Sequence, residues 1–343
     1  AKNLVINSLK NKKHVVTANK ALISKHGDYL SKLAETNKVN LEFEAAVAGG
    51  VPIIRVIKEG LITNKINKIY GILNGTSNYI LSNMYDTNSS FKDVLNKAKE
   101  LGYAESNPKT DLNGEDAKSK LQILSSLCFH SCITRTDINV EGIESIDSED
   151  IRNSRTLGYK IKHLAIAELK NGKVIQRVHP CMIKKDSYIS NINGVLNGVI
   201  IEGSPIGKFS IQGEGAGPGP TTSALVSDIC SISRGNIKLP FLIKNINRKK
   251  IKSFNISEEF FSYYIRVDVV DKTGVLSLVT KILSQNKVSV KRLIQNPFKS
   301  KKNSSIIIIS HKAKNSNLIK SINKISKQKF IINKPKFFRI ENI

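Results

Sequence analysis

The sequence contains few cysteines and no long apolar segment. Its four cysteines, at positions 128, 132, 181 and 230 of 343 residues, are too sparse for a disulfide framework. We therefore expect reduced thiols and a cytoplasmic protein. No apolar run reaches the roughly 20 residues that a membrane-spanning helix needs, so no membrane partner is expected.

Aromatic residues are also scarce, and this affects how the strong positive charge is interpreted. The chain has 54 lysines and arginines against 28 acidic residues, a formal net charge of +26, while aromatic residues make up 6% of it and tryptophan is absent. Proteins that bind single-stranded nucleic acid interleave basic side chains with aromatic rings on which bases stack. No such pattern is present, and lysine is spread over the whole chain. We expect no nucleic-acid partner, although the charge would favour anionic ligands such as a phosphorylated cofactor.

The most informative stretch that is present is LGYAESNPKTDLNGEDAKSK, residues 101–120. Asp116 and Lys120 are four residues apart on a predicted helix and share one of its faces. The loop before the helix carries Glu105 and Asp111, which can fold back over that face. The pattern predicts a polar pocket with one cation among several anions, in which the lysine can give a proton to a developing alkoxide. An exposed ion pair at a solvated helix start is the alternative.

Local patterns elsewhere predict the elements around this pocket. Asn171-Gly172 between two apolar segments predicts a β-hairpin. Thr76 or Ser77 is expected to cap a helix over residues 78–85, and Thr221 or Thr222 a helix that ends near residue 234. Near the start of the chain, a strand over residues 12–17 precedes an amphipathic helix over 21–35.

The stretch from residue 101 resembles the active-site segment of homoserine dehydrogenase. That family's pattern is Gly-Tyr-x-Glu, a proline-containing acidic loop, and Asp-x-x-Gly-x-Asp-x-x-x-Lys. The matching residues here are Gly102, Tyr103, Glu105, Asp111, Gly114, Asp116 and Lys120. Further blocks in the family's order are HVVTANKALI from His14, EAAVAGGVPII from Glu44, GILNGTSNYIL from Gly71, LGYKIKHLAIA from Leu157, and GEGAG from Gly213 followed by TTSALVSDI. The resemblance covers the chain from its first residue to about residue 234.

The resemblance implies the NAD(P)-dependent interconversion of L-homoserine and L-aspartate 4-semialdehyde, a step towards threonine, methionine and isoleucine. It implies that Lys120 is the proton donor, with Asp116 as its catalytic partner. Asp116 and Glu105 would bind the amino group of the substrate, and Asp111 would support the substrate or the lysine. A non-catalytic amino-acid sensor derived from such an enzyme is the alternative function.

The resemblance also implies the contacts of an NADP or NAD cofactor. Lys20, at the end of a predicted strand, would lie between the cofactor and the substrate and contact both. Gly102 would meet the nicotinamide end of the cofactor, and Gly217 would touch the cofactor from the GEGAG loop. Taken alone these signals stay open, because Lys20 could be a surface residue and GEGAG, which is not Gly-x-Gly-x-x-Gly, could be a structural turn.

The block from Glu44 is expected to bind a monovalent cation, sodium or potassium. The resemblance assigns this ion to backbone oxygens at Glu44, Val47, Gly49 and Val51, in a tight turn of small residues. A plain turn between domains is the alternative, because side chains cannot identify a site that is made of carbonyl groups.

We expect an α/β (α+β) chain of five segments. They are the C-terminal part of a Rossmann dinucleotide-binding domain (1–48), a mixed-sheet catalytic and dimerisation domain (49–212), a Gly-rich loop and helix returning to the cofactor domain (213–235), a linker (236–259) and a ferredoxin-like regulatory domain (260–343). The family carries a Gly-x-Gly-x-x-Gly strand and turn before the position of Lys12, and none precedes His14 here. We therefore expect an N-terminally truncated piece, in which the preference for NAD or NADP stays open. The dimerisation role implies a homodimer or homotetramer.

The last segment has a compact βαββαβ pattern, which is typical of a ferredoxin-like fold. Its stretch DKTGVLSLVTKIL from Asp271 resembles an ACT domain, a module that binds small amino acids between paired copies. Its place after the catalytic part favours the monofunctional type of the enzyme, with threonine as the expected effector. Asp271 could take the ammonium group of an amino acid, or it could only cap the helix that follows.

Overall fold

A computed structural model describes residues 1–132, 138–297 and 302–343 of the chain. The predicted segments 49–212 and 260–343 each include one stretch that lies outside the described residues. The chain divides into two compact units. The first consists of Ala1–Ser148, Lys162–His179 and Tyr188–Phe254, and the second of Glu149–Ile161, Pro180–Ser187 and Asn255–Ile343.

Both units contain helices and strands, in agreement with the predicted mixed α/β fold. The helices are α1 (Lys2–Lys10), α2 (Lys20–Asn37), α3 (Ile53–Arg55), α4 (Gly75–Thr87), α5 (Phe91–Glu100), α6 (Lys109–Leu112), α7 (Glu115–Cys128), α8 (Ser148–Thr156), α9 (Pro218–Ser233), α10 (Val275–Gln285) and α11 (Asn315–Ile325). The strands are β1 (Val15–Val16), β2 (Leu41–Glu42), β3 (Lys65–Ile72), β4 (Ile138–Val140), β5 (Tyr159–Lys170), β6 (Lys173–Lys184), β7 (Leu196–Ser204), β8 (Gly207–Glu214), β9 (Phe260–Val270), β10 (Val290–Pro297), β11 (Asn303–Ser310), β12 (Ala313–Lys314) and β13 (Lys336–Ile340). No helix of the described residues is long and apolar enough to cross a membrane.

A mixed sheet with the strand order β6-β5-β3-β7-β8 forms the centre of the first unit. β3 pairs antiparallel with β5 on one side and with β7 on the other, and β4 pairs parallel with β6. The hairpin predicted at Asn171-Gly172 is confirmed between β5 and β6. Both residues have a positive φ, +50° and +72°, as the favoured two-residue hairpin turn requires.

A smaller strand–helix–strand arrangement opens the first unit. β1 and β2 are parallel, with Val15 opposite Leu41, and α2 connects them. Ile23 and Leu30 on α2 are fully buried with Leu41, so the apolar face of the helix packs against this pair of strands. The packing fixes the start of α2, and therefore Lys20, just beyond the C-terminal end of β1.

Two helix starts differ from those predicted. Asn74 caps α4, because its side-chain oxygen accepts the backbone N–H of Ser77, and the helix therefore begins three residues earlier than expected. α9 begins at Pro218 directly after Gly217, before either predicted threonine cap. Proline suits the first turn of a helix because its missing N–H would have no partner there.

The second unit has an antiparallel sheet of order β10-β11-β9-β13, in which β9 is central. Its main elements follow the predicted βαββαβ order, with the two-residue strand β12 added before α11. Apolar residues of α10 and α11 form one core with β9 and β11. β13 also pairs in parallel with Cys181 and Met182, which belong to the same unit.

A buried group of charges crosses the core of the second unit. The Asp150 side chain, on α8, is fully buried and lies 3.4 Å from Arg266 Nε, 3.3 Å from Lys336 Nζ and 3.3 Å from the Tyr264 hydroxyl. Arg266 also contacts Glu149 at 3.0 Å. The buried carboxylate of Asp150 is therefore shared by two basic side chains, from β9 and β13.

We expect the substitution Asp150→Ala to lower the free energy of unfolding by about 3 kcal/mol, because it breaks contacts of the buried Arg266 and the partly buried Lys336. Chemical denaturation followed by circular dichroism measures the change. Lys208→Ala, which removes an ion pair from a side chain that is 64% exposed, is the control and should change stability by less than about 0.5 kcal/mol. Equal losses in the two variants would contradict this role of Asp150.

Candidate active site

The turn before α7 determines where the acidic and basic side chains of residues 101–120 point. Gly114 has φ +87°, and a Cβ atom there would lie 2.9 Å from the Val140 side chain and 3.2 Å from the His163 ring. Both the backbone conformation and the close packing therefore require glycine at this position. α7 begins at the next residue and carries Asp116 in its first turn.

Asp116 and Lys120 form the centre of the site. Lys120 Nζ lies 2.9 Å from Asp116 Oδ2, and Lys20 Nζ, at the start of α2, lies 2.9 Å from the other carboxylate oxygen. Asp116 is 7% exposed and Lys120 8%, so the alternative of an exposed pair on a solvated helix is wrong. One buried carboxylate is therefore shared by two ammonium groups.

The charge state of Asp116 follows from this arrangement. Burial raises the pKa of a carboxyl group, but Lys120 and Lys20, with their hydrogen bonds, outweigh burial and lower the pKa of Asp116 to about 2. Asp116 is therefore ionised throughout the physiological range of pH. Lys120 Nζ also donates to the backbone oxygen of Leu73 at 2.7 Å, which fixes the direction of its side chain.

Asp111, on the short helix α6, is the second carboxyl group of the site. Its Oδ1 accepts a hydrogen bond of 2.8 Å from the side-chain nitrogen of Asn74. The pKa of Asp111 is raised, mainly by burial and partly by the negative charge of Asp116, against the effect of Asn74. Two neighbouring carboxyl groups with pKa values moved in opposite directions are typical of sites that handle protons.

The structure does not bring Glu105 into this cluster. Its side chain is exposed, and it has no ion pair or hydrogen bond with another described residue. Gly102 is exposed as well, with φ +74°, and no atom of the described residues lies within 4 Å of the position that a Cβ would take. Tyr103 lies in the same loop, and the centroid of its ring is 5.0 Å from that of the Tyr79 ring. The loop from Gly102 to Glu105 is therefore open to a ligand.

Sequence reasoning missed the role of Asn74 in the site. Its nitrogen also donates to Asp116 Oδ2 at 2.9 Å, so a single amide contacts both carboxyl groups. The available signal was an asparagine between a strand and a helix, which is a preferred capping residue. The contacts with Asp111 and Asp116 had no local signal, because 37 and 42 residues separate them from Asn74.

The two glycine-rich loops, residues 47–51 and 213–217, lie against each other. Gly50 N donates to the Glu214 oxygen at 3.0 Å, and a Cβ on Gly49 would lie 2.7 Å from the Gly215 oxygen. The backbones approach too closely for side chains, which explains the small residues in both loops. Gly217 is exposed, has φ +115° and directly precedes α9.

The side chain of Glu44 forms hydrogen bonds with the backbone of a neighbouring helix. Its carboxylate accepts the backbone N–H groups of Ile54 and Arg55, each at 2.8 Å, at the start of α3. Burial raises the pKa of Glu44 to about 7, although these two bonds act against it. Any ligand in this turn would therefore meet the backbone of Glu44 and not its carboxylate.

Comparison with known proteins agrees with this geometry. The family model for homoserine dehydrogenase matches residues 52–230. The homoserine dehydrogenase of Neisseria gonorrhoeae is 40% identical over 318 residues, which are 91% of this chain and 73% of that protein. That of Synechocystis is 37% identical over 99% of this chain and 81% of its own length.

Solved structures give the same result. The homoserine dehydrogenase of Thiobacillus denitrificans superposes with a TM-score of 0.92 at 36% identity, over 99% of this chain and 79% of that one. A hyperthermophilic archaeal homoserine dehydrogenase in complex with NADPH gives 0.61 at 28% identity, over 70% of each chain. The chain belongs to the homoserine dehydrogenase family, whose members are NAD(P)-dependent oxidoreductases that act on a CH–OH group.

Proposed function

We propose that Lys120 exchanges the proton with the substrate oxygen when L-homoserine and L-aspartate 4-semialdehyde are interconverted. One observation carries this proposal. An ammonium group has three N–H donors, and among the described residues Lys120 gives them to two partners, Asp116 and the Leu73 oxygen. A substrate oxygen can take the third. In a buried pocket such a donor stabilises charge that develops on that oxygen.

The carboxyl groups would bind and orient the ammonium group of the substrate. Asp116 already balances two lysines and stays ionised, so we infer that it holds Lys120 in place and contributes charge to the substrate site. Asp111 lies beside it through their common contact with Asn74. Glu105 is proposed as a further ammonium partner on the strength of the resemblance, at the exposed edge of the same site.

The exposed groups next to the cluster suit an NADP or NAD cofactor. Lys20 is paired with Asp116 while 41% of its side chain remains exposed, so it can face a cofactor and the substrate together. Gly102 and Gly217 have exposed backbone, without side chains that would block the approach of a flat ring. When bound, the cofactor accepts or supplies the hydride at the substrate carbon. The chain's own groups would orient the substrate and move the proton.

The turn from Glu44 suits a sodium or potassium ion. Among the described residues no N–H group donates to the carbonyl oxygens of Val47 and Gly49, while those of Glu44 and Val51 each accept one hydrogen bond. A carbonyl oxygen has two lone pairs, so all four oxygens can still accept a contact. We infer that these backbone oxygens would hold the ion.

We further infer that residues 260–343 are an ACT domain of a monofunctional enzyme, and that β1, α2 and β2 belong to a Rossmann-type cofactor domain. The βαββαβ order and the central position of β9 support the first assignment. The exposed Asp271 directly precedes the turn into α10, where free N–H groups would face the carboxylate of an amino acid. Pairing of two such domains, within a homodimer or homotetramer, would complete the site for threonine.

We predict that Lys120→Met lowers kcat about 10²–10⁴-fold, because methionine keeps the volume of the side chain but cannot give a proton. The rate of NADPH or NADH formation at saturating homoserine measures this. Lys118→Met is the matched control, since Lys118 lies on the same helix in a pair with the exposed Glu115. A Lys120 variant that is as active as the Lys118 variant would remove Lys120 from the reaction.

We predict that Glu105→Gln raises KM for homoserine about tenfold and leaves cofactor affinity unchanged. A charged hydrogen bond to the ammonium group would be lost, and water screening keeps the effect at the low end of the usual range. Glu100→Gln, on the exposed surface of α5, is the control. If cofactor affinity falls and KM does not change, Glu105 does not bind the substrate.

We predict that threonine binds to the full chain and releases measurable heat in a calorimetric titration. Asp271→Asn should abolish this heat, because the ammonium group loses its carboxylate, whereas Lys120→Met should retain it. The pair of variants separates the regulatory domain from the active site, where threonine could bind as an analogue of homoserine. Heat that survives in Asp271→Asn and disappears in Lys120→Met would contradict the regulatory site.

A further inference from the structure

The junction between β3 and α4 places one small amide at the centre of the charged cluster. Asn74 is 5% exposed. Its side-chain nitrogen donates to Asp111 Oδ1 at 2.8 Å and to Asp116 Oδ2 at 2.9 Å, while its side-chain oxygen accepts the Ser77 N–H at 2.8 Å. Every polar atom of the Asn74 side chain is therefore used, and two of its three bonds go to carboxyl groups of the site.

The residue before Asn74 completes the arrangement. The backbone oxygen of Leu73 accepts the hydrogen bond from Lys120 Nζ. β3 leads directly into this junction and pairs on both sides up to Gly71, where a Cβ would come within 2.4 Å of the Gly198 oxygen. Two consecutive residues directly after the central strand β3 thus contact three of the four charged groups, and residues on regular elements hold a site more precisely than loops do.

We propose that Asn74 is a positioning residue of the active site, whose amide bridges Asp111 and Asp116 and so fixes where both carboxyl groups face the substrate. This proposal rests on the proposed role of the Lys120–Asp116 cluster and extends it to a residue that does not touch the reacting atoms. The helix-capping bond to Ser77 orients the amide, so that its two N–H donors point towards the carboxyl groups.

The chemistry of the position requires an amide. An aspartate has nearly the same shape and could keep the cap, but it has acceptors only and would place a third negative charge against two others. A serine could also keep the cap, but it is too short to bridge both carboxyl groups. Capping alone would accept all three residues, because asparagine, aspartate and serine are about equally good caps.

The pH at which Asp111 loses its proton measures the effect of the Asn74 hydrogen bond directly. The charged groups that act on Asp111 are Asp116 and Lys120 on α7 and Lys20 on α2. The hydrogen bond from Asn74 lowers the pKa of Asp111 and therefore favours its ionised form. Removing that bond raises the pKa of Asp111 further above its ordinary range, so the pH below which the site loses this negative charge must rise.

The test uses Asn74→Ser and Asn74→Asp in the full chain. Carbon-13 NMR of labelled aspartate carboxyl groups, with Asp111→Asn to assign the signal, follows the titration of Asp111. We expect its pKa to be higher in both variants than in the wild type. We expect kcat/KM for homoserine to fall on the order of 10²-fold, as for other misplaced groups, and its acidic limb to move to higher pH. Thermal unfolding of Asn74→Ser should remain close to that of the wild type, because the cap is retained, whereas Asn74→Asp adds a buried negative charge and should unfold at a lower temperature.

A stability control separates positioning from folding. Ser90 caps α5 by accepting the Asp93 N–H, and Ser90→Ala removes that cap outside the cluster. This variant should be less stable, with an unchanged titration of Asp111 and unchanged kcat/KM. If Asn74→Ser and Asn74→Asp behave in the same way as Ser90→Ala, Asn74 is only a cap and the inference is wrong.

The Lys120→Met variant, measured in parallel, shows which claim has failed. If Lys120→Met is inactive while both Asn74 variants keep the wild-type titration and kcat/KM, the inference fails and the proposed function stands. If Lys120→Met keeps full activity, the proposed function fails, and the inference that rests on it fails too. A higher pKa of Asp111 together with unchanged kcat/KM would likewise overturn the positioning role.

Discussion

A buried carboxylate shared by two lysines is the interaction on which the site depends. Asp116 has lost nearly all contact with water, and a carboxylate in that position is costly unless it is paired and hydrogen-bonded. Lys20 and Lys120 each contact one of its oxygens, and Asn74 supplies a further hydrogen bond. These partners come from α2, α7 and the junction after β3. The cluster therefore cannot form unless three separate parts of the first unit have folded together.

Glycines allow backbone segments to approach each other closely around the cluster. A Cβ atom on Gly114 would lie too close to the His163 ring, and one on Gly49 too close to the Gly215 backbone. A side chain at either place would push apart the elements that carry the charged groups. The glycines thus help to set the distances in the site, and the polar residues supply its chemistry.

The sequence predicted well those features that depend on residues close together in the chain. The shared helix face of Asp116 and Lys120, the turn at Asn171-Gly172 and the βαββαβ order are each determined by neighbouring residues, and the structure contains all three. The start of α4 was wrong by three residues, because Asn74, Thr76 and Ser77 are all good caps and the end of β3 decides among them. The bridge from Asn74 to two carboxyl groups had no signal, since it joins residues that are distant in the chain. The exposed position of Glu105 was not predictable from spacing either, because the path of a loop depends on the elements that it packs against.

The most direct test of this account is the titration of Asp116 in the wild-type chain and in Lys120→Met, followed by carbon-13 NMR of its carboxyl group between pH 7 and pH 3. The account predicts that Asp116 stays ionised over most of this range in the wild type, because burial is outweighed by the two ammonium groups. Its pKa should rise clearly when one of them is removed. A wild-type Asp116 that takes up its proton above the ordinary range for aspartate, or a pKa that does not respond to the loss of Lys120, would contradict the account.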